Sequence, residues 1–138
     1  MRAKDYLDQI HKMDVRVGQR ITELSQMRKR LSLLEGIDYS KDRIQTSPTS
    51  GNKQIEAIVD YETDIIKLIQ EETKLKHKII GEIQQLENPI YVDLLFRRYV
   101  ECHSFERIAC DMGYAYNYVL NLHGRSLEEF RDKVLMKC

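Results

Sequence analysis

A chain of 138 residues has the length of one domain, or of a small domain carrying a helical extension. Its 22 basic residues are matched by 22 acidic ones, which excludes the strong basic excess that by itself indicates a polyanion partner. Eight Tyr, no Trp, six Gly and two Pro fit a mostly helical protein, and no apolar run reaches the roughly 20 residues a membrane-spanning helix needs.

Charge is also even along the chain: 10 basic and 7 acidic groups in residues 1–50, 5 and 8 in 51–89, and 7 and 7 in 90–138. Cys102, Cys110 and Cys138 are an odd set without metal-ligand spacing. With no signal-peptide pattern at the start, they point to a reducing, cytoplasmic compartment and to no membrane partner.

Taken in chain order, the apolar residues Ile10, Met13, Val17, Leu24, Met27, Leu31 and Leu34 alternate at three and four, interrupted only at Arg20, predicting an amphipathic helix over about 3–35. Gly36 is placed to end it, and the polar stretch GIDYSKDRIQTSPTSGN predicts a mobile loop over 36–52. A second helix is expected over about 53–87. Its apolar residues, Ile55, Ile58, Val59, Ile65, Ile66, Ile69, Leu75, Ile79, Ile80, Ile83 and Leu86, form a stripe wider than one partner helix requires. Residues 1–87 thus read as a long antiparallel hairpin. The extra width asks for a further partner, either a second copy or the C-terminal part folded back, unless the hairpin is only a solvated spacer. For a homodimer or higher oligomer, the contact residues are Ile58, Ile65, Ile69, Ile79 and Ile83.

Asn88-Pro89 restarts the chain, Asn as a cap and Pro at the first helical position. A helix to about Glu101 should bury Val92, Leu95, Phe96 and Tyr99. Ser104 caps the next, Phe105 to Met112, with Glu106 in its first turn. Gly113 breaks that helix, and the last begins near Ala115 or Tyr116 and runs towards Val134. The fold class is all-α, with a C-terminal helix-turn-helix domain over 88–138.

The spacing around Gly113 is the most specific feature. Ile108 and small Ala109 precede the turn, Met112 closes the first helix, Gly113 supplies a positive φ, and Val119 and Leu122 point back to the same core. That is the packing requirement of a helix-turn-helix, though an αα corner that meets no DNA satisfies part of it.

The stretch NPIYVDLLFRRYVECHSFERIACDMGYAYNYVLNLHGRSLEEF resembles region 4 of the sigma-70 type of RNA polymerase sigma factor. It is similar also to the C-terminal half of small phage and prophage proteins of Gram-positive hosts, the ArpU- and RinA-like transcriptional regulators. The likeness extends to MRAKDYLDQIHKMDVRV and the Ser/Thr-rich loop. Its sharp motifs are Asn88-Pro89, Leu95 with Arg98-Tyr99-Val100, Ile108-Ala109, Met112-Gly113-Tyr114, and Leu122-His123-Gly124-Arg125 with Leu127.

What the resemblance implies is binding of double-stranded DNA near promoters, or docking to RNA polymerase, in phage gene expression. Carried over, the base-reading face of the last helix holds Tyr116, Asn117, Leu120 and Asn121, and the phosphate contacts are Arg97, Arg98, Arg107 and Arg125. The sigma pattern usually has Arg, Lys, Glu or Gln on that face, so this chain departs from it. Asn still pairs with adenine N6 and N7, and Tyr reaches phosphates or thymine methyls. The basic flank that supplies non-specific affinity is missing, so a second copy or polymerase must assist.

Plainer roles stand beside these. Arg98 pairs with Glu101 or Asp93 as readily as with phosphate, and Leu120 meets either a thymine methyl or another protein. His103 reads as a loop residue, His123 as a partly buried polar group, and Cys110 as a small core residue. With no CxxC knuckle, paired carboxylates or phosphate-cradling loop, neither metal, cofactor nor enzyme is expected. The competing function is a helical interaction adaptor or scaffold that does not read DNA.

Overall fold

A computed structural model describes residues 2–40 and 48–136, with side chains over 2–33 and 53–136. Every regular element among the described residues is helical: α1 (Ala3–Leu7), α2 (Gln9–Ser40), α3 (Pro48–Ile83), α4 (Pro89–Leu95), α5 (Phe105–Met112) and α6 (Tyr116–Phe130). Two widened π-turns follow α4 and α6, at Phe96–Val100 and Arg131–Leu135. Among the described residues no helix is long and apolar enough to cross a membrane.

The first expected helix is divided at Asp8, where the Gln9 side-chain amide donates to the Tyr6 carbonyl at 2.8 Å and so competes for a backbone acceptor. Gly36 does not end α2, which runs to Ser40, and α3 begins at Pro48, not near residue 53. Glycine inside a helix costs only about 1 kcal/mol, and proline is at home in a first turn. Of the loop expected over 36–52, residues 41–47 lie outside the described residues, as does the Leu34 side chain.

Contacts divide the chain into residues 1–14 with 72–138, and residues 15–71. The division therefore does not fall at 87/88. In residues 15–71, Val17, Ile58 and Ile65 are buried. Arg28 of α2 pairs with Glu62 of α3, the Tyr61 hydroxyl donates to Glu23, and the Arg20 guanidinium lies 5.7 Å from the Tyr61 ring centroid. Met27, Arg30 and Leu31 share an apolar hollow with Gln54, Ala57 and Ile58.

Residues 1–14 with 72–138 hold two cores. The first gathers Ala3, Leu7, Ile10, Ile79, Ile83, Leu86, Leu95, Tyr99 and Phe130. The second gathers Leu94, Ile108, Ala109, Val119 and Leu122, with Met112 half-buried against it. Adjacent Leu94 and Leu95 thus enter different cores. Val92 and Phe96 are only half-buried.

This packing corrects the expected oligomer contacts. Ile58, Ile65, Ile79 and Ile83 are buried within the single chain, and of the five only Ile69 is exposed. Extra apolar width on α3 is partly used by α1, α4 and α6 through the first core.

Both expected caps form. Asn88 Oδ1 accepts from the Ile90 amide at 2.9 Å, and Ser104 Oγ from the Arg107 amide at 3.2 Å. Gly113 closes α5 at φ 73°, ψ 30°, with the Tyr114 amide donating to the Ala109 carbonyl at 3.0 Å and the Gly113 amide to the Cys110 carbonyl at 3.3 Å. These two bonds are a Schellman closure.

Gly113 and Gly124 make a matched pair of probes, because a Cβ added at either meets no heavy atom within 4 Å. Gly113→Ala is expected to destabilise by about 1–2 kcal/mol, through its positive φ alone. Gly124→Ala, inside α6, is expected to be neutral or to stabilise by up to about 1 kcal/mol. Urea denaturation of the two variants checks the contrast, and equal effects would contradict it.

Candidate functional site

α6 carries two faces set by its turn period. Val119, Leu122, Ser126 and Phe130 are buried, while Tyr116, Asn117, Leu120, Asn121, Gly124 and Arg125 are exposed. The four residues expected to read bases therefore lie together on the outward side, Tyr116 at its flank. Among the described residues Asn117 and Asn121 have no side-chain hydrogen bond within the chain. The open space around Gly124 lets another backbone approach that side closely.

Tyr118 was not singled out by sequence reasoning, yet it is 46% exposed and stands beside this face. Its ring meets Tyr114 edge-on, centroids 5.2 Å apart. The signal was an aromatic pair at i, i+4, here bridging from the turn into the first helical turn.

The four arginines expected at phosphates have different surroundings. Arg97 lies 3.0 Å from Asp93 and 3.6 Å from Asp111, and Arg107 lies 3.6 Å from the same Asp111. Arg98 Nη1 donates to the His103 carbonyl at 3.0 Å, and its guanidinium carbon sits 4.2 Å from the Phe105 ring centroid. It forms neither of the ion pairs expected for it; Asp93 belongs to Arg97. Arg125 makes no ion pair among the described residues, and shares an open hollow with Glu87, Tyr91, Glu128, Asp132 and Lys133. The motif thus has no basic flank.

Behind the exposed face lies a polar contact in an aromatic setting. The Tyr99 hydroxyl is 2.6 Å from His123 Nε2, and the two rings stack with centroids 5.7 Å apart. Phe105 meets the imidazole edge-on at 4.7 Å. Burial first, then the positive charges of Arg98 and Lys4, lower the His123 pKa from 6.5 to about 4. Burial likewise pushes the Tyr99 hydroxyl above its ordinary range. At neutral pH both groups are uncharged, and the contact holds α6 against the turn after α4.

Cys110 is exposed, correcting its expected place in the core: Ile108 and Ala109 fill the buried side of α5, and the next residue turns away. Cys138 lies outside the described residues. Among those described, no group of three or more His, Cys, Asp or Glu is placed to hold a metal ion. No known protein family, curated protein or solved structure matches the chain.

His123 makes stability depend on pH in a definite direction. Between its unfolded value of 6.5 and its folded value of about 4, the unfolded chain binds a proton that the folded chain does not. Stability is therefore full above 6.5 and falls as pH drops through that window. The expected loss from pH 7 to 5.5 is on the order of 1 kcal/mol, partial solvent contact of the ring holding it below the full shift. Urea midpoints at the two pH values check this, and His123→Phe should flatten the difference.

Proposed function

We propose that the protein is a DNA-binding transcription regulator of the phage type, with a sigma region 4-like helix-turn-helix made of α5 and α6. The outward face of α6 carries the reading: Asn117 and Asn121 are exposed, have no hydrogen-bond partner within the chain and stand one helical turn apart on a well-anchored helix. Two amides so placed match the donor and acceptor pattern of adenine in the major groove. Leu120, on the neighbouring row with Tyr116, offers an apolar contact for a thymine methyl, and Tyr116 and Tyr118 stand exposed on opposite sides of the asparagine row. Support also comes from the Schellman turn at Gly113 and from the resemblance of residues 88–130 to sigma region 4.

Affinity is the weak side of this reading. With Arg97 between two carboxylates, Arg98 engaged by His103 and Phe105, and Arg107 3.6 Å from Asp111, Arg125 alone of the four makes no ion pair among the described residues, and Arg107 reaches a phosphate only by leaving its exposed pair. Few phosphate contacts mean a shallow salt dependence and weak binding by a single copy. A second copy of the chain, or RNA polymerase, then supplies the remainder.

The same engaged arginines favour a second reading, an interaction adaptor whose exposed Leu120, Tyr116 and Tyr118 meet another protein. Fluorescence anisotropy separates the two, using a randomised pool of double-stranded DNA and then its enriched duplexes at two salt concentrations. Under DNA reading, Asn121→Ala is expected to cost about 1–3 kcal/mol on the preferred duplex and to relax sequence preference. Arg125→Ala should weaken all duplexes alike and reduce the salt slope by about 1. No saturable binding at low salt, with or without added RNA polymerase, would leave the adaptor.

A further inference from the structure

Around α3 the apolar residues separate into two stripes. Within residues 15–71 the inner stripe is Ile58 and Ile65, 8% and 5% exposed. Ile55, Val59, Ile66 and Ile69 are 47%, 52%, 54% and 40% exposed. With Glu62 among them they recur at alternating spacings of four and three. At about 100° per residue this keeps all five within roughly 80° of one another, with their centre about 70° round from that of the inner stripe, which they adjoin at Ile69. Large apolar side chains exposed in series, unlike single scattered ones, mark a contact face. Glu62 does not spoil it as a lone charge, because Arg28 pairs with it.

The charges beside the stripe say what covers it. Glu56 and Asp60 lie near its N-terminal end and Lys67 near its C-terminal end, all exposed. On the helical wheel the three fall on one edge, within about 40° of each other. Among the described residues none of them forms an ion pair within the chain. When two helices pair in antiparallel order, like edges meet and the N-terminal end of one faces the C-terminal end of the other. An edge that is acidic at one end and basic at the other is then complementary to itself. An anionic membrane surface or a nucleic acid would instead require a basic edge.

We propose that two copies of this chain associate through Ile55, Val59, Ile66 and Ile69 of α3 in antiparallel order, with Glu56 and Asp60 of one copy against Lys67 of the other. The association does not depend on α6 reading DNA, and is measured without DNA.

Sedimentation equilibrium of the full chain over a wide concentration range is expected to show a reversible dimer. Ile66→Glu, at an exposed position, should leave the circular dichroism unchanged and weaken the dimer by about tenfold or more, since it buries an unpaired carboxylate. Ile55→Glu should do the same at the other end of the stripe. Lys67→Glu should weaken the dimer several-fold, and the triple variant E56K/D60K/K67E should restore it, because the exchanged edge is again complementary to itself. A monomer throughout the range would overturn the proposal. So would a dimer unaffected by both Ile66→Glu and Ile55→Glu, and a dimer indifferent to Lys67→Glu would overturn the antiparallel order.

Discussion

α6 is held along its length by two different hydrophobic cores, and the rest of the candidate site depends on that. Val119 and Leu122 enter the core made with Leu94, Ile108 and Ala109, whereas Phe130 enters the one made with Leu7, Ile10, Ile79 and Ile83. Burying such side chains is worth about 1.5–3 kcal/mol each, so rotation of the helix about its axis would forfeit several at once. The rotation of α6 is therefore fixed, and so is the set of residues it turns outward. Fully buried Ser126, bonded through Oγ to the His123 carbonyl at 2.8 Å, lets the helix pass from one core to the other without an unsatisfied hydroxyl.

Charge is organised with equal consequence. Asp93, Arg97, Asp111 and Arg107 form a line of alternating sign reaching from α4 to α5. Arg98 next to it is committed to a carbonyl and an aromatic ring. These groups join α4, its π-turn and α5, work that a basic flank free for phosphates would not do. Exposed ion pairs of this kind add little individually to stability, but they also cancel the field that a distant polyanion would feel. The surface of α4, its π-turn and α5 thus carries little free positive charge because of how these elements are tied together.

Sequence reasoning succeeded where one residue decides a local geometry. Asn88, Ser104 and Gly113 act through their own side chains or φ, and Ile108, Ala109, Val119 and Leu122 are spaced by the helical repeat itself. It failed where the outcome depends on which elements meet. Whether Asp93 pairs with Arg97 or Arg98 turns on the side that α5 covers, and the engagement of Arg98 with Phe105 crosses a loop. The wide stripe of α3 was visible, but not its division into Ile79 and Ile83, used by α1, α4 and α6, and Ile55, Val59 and Ile66, left outside. Helix ends at Gly36 and Lys53 were misplaced because composition there signals a preference of only about 1 kcal/mol per residue, which neighbouring helix easily outweighs.

The neutral face of α6 and the self-complementary edge of α3 bear on each other through the arithmetic of weak sites. Were α6 to read DNA as proposed, each phosphate neutralised would contribute about 0.9 to the salt slope, so the few available arginines would give a single copy little hold on a duplex. Joining two such faces would make the second contact intramolecular, and where the linkage lets both reach one duplex, apparent affinity rises by about 10²–10⁴ without any new interaction at either face. Specificity would gain in the same step, since the asparagines of both copies would have to find their bases together. A helix face poor in charge would then suit selective binding when its weakness is shared between two copies, and non-specific binding to the surrounding polyanion would stay low because so little of the hold would be electrostatic.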